Sequence, residues 1–99
     1  MKSVVLVFEE FRYNGVEEES LVYPCANEDI ARRVIKERYE WIIKNSYFNK
    51  FIDENGEVDR NKLDWHDCWH VGKNNVELFI DANNTALNLY FVRENIIKK

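Results

Sequence analysis

At 99 residues the chain has room for one hydrophobic core, so residues 1–99 are read as a single domain. Its 45% hydrophobic and 32% charged side chains, with three Gly and one Pro, exclude disordered, collagen-like and low-complexity chains. Fourteen basic against eighteen acidic side chains leave a net charge of −4, which argues against nucleic acid as a partner.

The first apolar run, Val4-Val5-Leu6-Val7-Phe8, meets Glu9-Glu10 too early for the core of a signal peptide, and no small-residue cleavage site follows. No stretch approaches the ~20 apolar residues of a membrane span. A cytoplasmic protein without membrane contact is expected, with Cys25 and Cys68 as reduced thiols.

Val4 to Tyr13 reads as a strand and Asn14-Gly15 as a type I′ turn, since both residues tolerate positive φ. A second strand is expected from Val16 to about Tyr23, ending at Pro24, which cannot donate to a ladder. A two-residue turn pairs Tyr13 with Val16, Arg12 with Glu17, Phe8 with Leu21 and Leu6 with Tyr23. Val4, Leu6, Phe8, Leu21 and Tyr23 then form the core face. The opposite face holds Val16 and Val22 beside Glu9, Glu18 and Ser20, together with Val5, Val7, Phe11 and Tyr13, and a strand apolar on both sides is normally covered on both. The C-terminal tail or a second subunit is expected there, which makes Val5, Val7, Phe11 and Tyr13 candidate interface positions and a homodimer the candidate assembly. In this register Glu10 faces Glu19, one element of an electronegative surface shared with Glu17-Glu18 and the acidic 53–59 loop.

Asn27 is a strong N-cap, and Glu28 and Asp29 suit the first turn of a helix. Ile30, Ala31, Val34, Ile35, Tyr39, Ile42 and Ile43 recur at helical spacing and predict a helix from about 28 to 46–48. Glu28 with Arg32, Asp29 with Arg33 and Glu40 with Lys44 are acid-before-base pairs at i,i+4. Trp41 falls beside the apolar stripe, partly exposed, and joins the candidate interface.

Residues 49–62 form a polar connection with one helical turn at most. Within it, 53–59 has the look of a calcium loop, but aligning Gly56 with the invariant glycine puts Phe51 and Lys62 where acids are required. Strands are expected at Trp65–Val71, Val76–Asp81 and Ala86–Val92, the last two alternating apolar and polar residues. The element order β-β-α-β-β-β gives an α+β fold, one long helix packed on a four- to five-stranded, mainly antiparallel sheet. A β-grasp arrangement, with first and last strands parallel in the centre, is the alternative.

The segment Trp65-His66-Asp67-Cys68-Trp69-His70 holds both histidines and one cysteine. On a strand, His66, Cys68 and His70 share one side, and imidazole and thiolate are zinc-type ligands. Alternate strand residues stand ~7 Å apart, however, too far for easy convergence on bonds of ~2.0–2.3 Å. The preferred reading makes the tryptophans core anchors and leaves the three residues as ordinary occupants of the other face. No phosphate-cradling loop, serine elbow or paired carboxylates are present, so no catalytic residue is assigned.

The β-rich start through Val7-Phe8-Glu9-Glu10, the Asn14-Gly15 turn, Tyr23-Pro24, a helix beginning near Asn27 and a final strand pair with a charged end (Leu89 to Lys99) set the layout. It resembles that of small uncharacterised single-domain proteins of gut bacteria and their mobile elements, over most of the chain. Those more often carry Ser or Thr where this chain has Asn27. The resemblance implies a hairpin–helix–strands plan and no activity. The expected function is a protein-binding or accessory module. A metal-binding protein or enzyme centred on His66, Cys68 and His70, with zinc as cofactor, is the alternative.

Overall fold

In the computed structural model, which describes residues 2–18 and 20–96, the first and last strands lie side by side in the middle of the sheet. Strand β1 (Lys2–Tyr13) pairs with β6 (Thr85–Ile96) from Lys2↔Ile96 to Arg12↔Ala86. This pairing is antiparallel, which excludes the parallel centre of a β-grasp. On one side of β1 lie β2 (Val16–Glu17) and β3 (Leu21–Cys25); beyond β6 come β5 (Asn75–Ile80) and the edge strand β4 (Cys68–Val71). The helix α1 (Glu28–Asn45) packs on one face. The fold is α+β with one helix on an antiparallel sheet of six strands, because the expected second strand breaks into β2 and β3.

That break changes which face is buried. Next to the turn the pairs Tyr13↔Val16 and Arg12↔Glu17 stand as expected, with Asn14 (φ 52°) and Gly15 (φ 81°) in left-handed conformations. Further on the pairs are Glu9↔Leu21, Phe8↔Val22 and Val7↔Tyr23, a slip of one residue taken up between β2 and β3. A one-residue slip exchanges the faces of a strand. Tyr23 and Cys25 now share the helix side with Val5, Val7 and Glu9. Leu6 and Phe8, expected in the core, lie on the other side. Val5 and Val7 are core residues beneath their own chain's α1, so they are unavailable as an interface. The expected Glu10–Glu19 contact lies outside the described residues.

Glu9 explains the inversion. A charged residue marks a strand face as solvent-exposed, yet Glu9 is buried because α1 brings it a partner. The Arg38 guanidinium donates two bonds to its carboxylate, Nε–Oε1 at 2.6 Å and Nη2–Oε2 at 3.1 Å. The Tyr23 hydroxyl donates a third to Oε1 at 3.2 Å. A bidentate guanidinium–carboxylate pair fixes direction as well as distance, and this one sets where α1 crosses β1 and β3.

Helix α1 starts at Asn27, whose side chain accepts from the Ile30 N–H at 2.9 Å. It ends at Asn45, short of the expected 46–48, because Ser46 is extended and its Oγ accepts from the Phe48 N–H to open a 3₁₀ turn, Tyr47–Phe51. Its buried stripe, Ala31, Ile35, Ile42 and Ile43, meets Val76, Leu78, Leu87 and Leu89 from the sheet. Phe48 closes the end of the core, edge-on to Trp69 at 5.7 Å. Of the expected helix pairs, Glu28–Arg32 forms, but Asp29 also bonds Arg32 instead of Arg33.

Removing one partner of a largely buried ion pair leaves an uncompensated charge. Arg38→Ala is expected to cost about 2–4 kcal/mol in urea unfolding, and Glu9→Gln, which keeps an acceptor oxygen, less. A second expectation concerns alkali. Burial first, and then the Glu9 carboxylate, raise the Tyr23 phenol above its ordinary 10.0. Burial also raises Tyr39, and raises the Cys25 thiol above 9.0. These groups are neutral when protonated, so between the unfolded and folded values the native chain holds more protons. Stability is therefore full below the ordinary values and falls as pH rises through the folded ones. Urea midpoints taken at rising pH should decline above about pH 9, and Tyr23→Phe should flatten the decline.

Candidate functional site

The strand expected from Trp65 begins only at Cys68. Residues 64–67 instead form a tight turn held by carboxylates. Asp67 accepts from the Asp64 N–H at 2.8 Å and from the Asp81 N–H at 2.9 Å, and Asp64 accepts from the Trp65 N–H at 2.7 Å. Side-chain acceptors of this kind compete with a β-ladder and favour turns. The Asp64/Asp67 spacing is the sequence signal that the strand reading passed over.

The turn separates the three candidate ligands. His66 is exposed, its ring against that of Trp65 with centroids 3.6 Å apart. Cys68 and His70 sit on β4, the Cys68 thiol donating to the Glu77 carbonyl at 3.6 Å and His70 standing opposite Glu77 in the register. Among the described residues no three His, Cys, Asp or Glu side chains come together as a metal-binding group. The expected trio of His66, Cys68 and His70 is therefore not brought together as a three-ligand group. The tryptophans also divide. Trp69 is 4% exposed and donates to the Tyr39 hydroxyl at 3.2 Å, whereas Trp65 is 84% exposed and anchors nothing. Cys25 and Cys68 are free thiols on opposite sides of the sheet, with β1, β6 and β5 between their strands. That separation is several strand spacings of ~4.8 Å, far beyond disulfide reach.

The remaining interface candidates lie on the helix side. Phe11 packs edge-on to Phe48 at 6.0 Å, and Tyr13 meets Tyr47 at 5.9 Å. Trp41 is exposed, with the Arg38 guanidinium over its ring at 4.9 Å. None of the three belongs to the surface that the slipped register leaves uncovered.

That surface is the sheet face away from α1. Its rows follow from the pairings: Leu6 stands between Pro24 and Val92, and Phe8 between Val22 and Tyr90. Phe8 and Tyr90 stack at 5.3 Å with 18° between their rings. Val22 is 49% exposed and Val92 37%. The next row is polar, Glu10–Asn88–Glu77–His70, and crosses the sheet as a band. Burial, and after it Glu10, raise the Tyr90 phenol above its ordinary value, in keeping with a ring set between apolar patch and acidic band. No helix among the described residues is long and apolar enough to cross a membrane. Comparison with protein-family models, with curated proteins and with solved structures finds no match.

The two tryptophans give a direct check. Trp69→Ala is expected to lower stability by about 3–5 kcal/mol, the cost of emptying an aromatic core position. Trp65→Ala should stay within about 0.5 kcal/mol of the parent in the same denaturation experiment.

Proposed function

We propose that this chain is a small protein-binding module that acts by burying its open sheet face, and that the face pairs with a second copy. The observation that carries the reading is the Phe8–Tyr90 stack, ringed by Leu6, Val22, Pro24 and Val92 on a face that carries no second layer among the described residues. Sheets that expose an apolar face are normally packed against another layer.

A second copy fits the face in shape. Twisted sheets stack on one another with nearly aligned strands, and a two-fold contact uses the same patch on both chains. A two-fold axis across the strands, between the Leu6 and Phe8 rows, lays each apolar row on the other and leaves the two Glu10–Glu77 bands at opposite ends of the contact. The acids then stay hydrated in a polar rim around an apolar centre. The free thiols of Cys25 and Cys68 suit a reducing, cytoplasmic setting for such a module.

Light scattering on the purified chain tests this. The expected mass at high concentration is about twice the 11.9 kDa of one chain, and Phe8→Glu should return it to the single-chain value. A single-chain mass at the highest soluble concentration, or a doubled mass that survives Phe8→Glu, overturns the proposal.

A further inference from the structure

The opposite side of the molecule carries a second surface that does not depend on the sheet-face contact. A groove of about 950 Å³ lies between α1, the edge strand β4 and the 52–58 loop. Its floor is apolar, with Ile35, Ile43, Ile52, Val58 and Val76. Its walls are basic. Arg33, Lys36 and Lys44 project from the helix, Lys73 from the β4–β5 turn, and Arg32 and Arg60 complete the set, against only Glu40 and Glu57. A chain of net charge −4 thus gathers six of its fourteen cations around one cleft.

Most of these cations have no internal task. Arg32 is held by Asn74, Glu28 and Asp29, and Arg60 donates to the Trp69 carbonyl at 3.1 Å. Among the described residues Arg33, Lys36, Lys44 and Lys73 make no ion pair or side-chain hydrogen bond, although Asp29 and Glu40 stand at the spacing that would neutralise Arg33 and Lys44. On the helix, positions 33, 36, 40 and 44 follow one line. From Arg33 to Lys44 it runs ~16 Å, the length of about five residues of extended chain.

We infer that this groove binds an extended, acidic segment of a partner protein whose alternate side chains are apolar. An extended chain turns successive side chains to opposite sides, so its carboxylates meet the helix ridge and Lys73 while its apolar residues reach the floor. A phosphate backbone suits the groove less well. Glu40 interrupts the ridge, where a polyanion would be repelled but a peptide can place a neutral or basic side chain. Single-stranded nucleic acid also needs exposed rings for stacking. The groove holds two rings, Tyr39 and Trp69, but they hydrogen-bond each other and Trp69 is buried in the core, so no run of rings lies open to successive bases.

Fluorescence anisotropy of a labelled peptide alternating Glu and Leu provides the test. The parent chain should bind it, more weakly as salt rises. Replacing the peptide's Glu by Gln, or using the triple variant Arg33→Glu, Lys36→Glu, Lys44→Glu, should weaken binding by about tenfold or more. The three positions are exposed, and an unchanged circular dichroism spectrum verifies the fold. Phe8→Glu, on the other face, should bind the peptide as the parent does. Equal binding of the Gln peptide, equal binding by the triple variant, loss of binding in Phe8→Glu, or tighter binding of an oligothymidylate than of the peptide would each overturn the inference.

Discussion

The Arg38–Glu9 pair decides the architecture. Without a guanidinium arriving from α1, the odd-numbered face of β1 would bury an unpaired carboxylate, and desolvating a lone charge costs more than Val5 and Val7 return. With it, Val5, Val7 and Glu9 turn inward together. Tyr23 then has reason to face the same way, and the strand containing it slips by one residue to bring its hydroxyl to Glu9. The helix position, the split between β2 and β3 and the identity of the exposed face all follow from one bidentate contact.

This explains what could be read from the sequence. The Asn27 cap, the apolar stripe of α1, the Asn14-Gly15 turn and the alternation in β5 and β6 are local signals, and each stands in the structure. The side of β1 that faces the core is not local. It depends on a residue 29 positions away, as Arg38 is from Glu9, and a face holding a glutamate among valines does not show what covers it until that partner is known. The same kind of error affects residues 64–67, where two aspartates outcompete an alternation that looks like a strand. The groove was illegible for another reason. Its cations come from α1, the 52–60 loop and the β4–β5 turn, and along the helix their spacing is no different from that of an ordinary solvated ridge.

The sheet separates two chemistries. One face is flat, aromatic and crossed by an acidic band, which suits a broad contact made once and kept. The cleft on the other side is narrow and basic, and its free cations suit a smaller, salt-sensitive ligand. Because β1, β6 and β5 stand between the two surfaces, a partner on either one leaves the other accessible.

The central pairing of β1 with β6 also shapes how the molecule is made. The two strands meet in the middle of the sheet but stand at opposite ends of the described sequence. During synthesis, the edge of β1 that β6 will cover must wait unpaired until β6 itself has emerged from the ribosome. Contacts so distant along a chain close slowly, and a nascent strand edge rich in valine and phenylalanine invites mispairing meanwhile. The glutamates that interrupt that run, Glu9 and Glu10, thus guard the nascent chain as well as serving the finished fold.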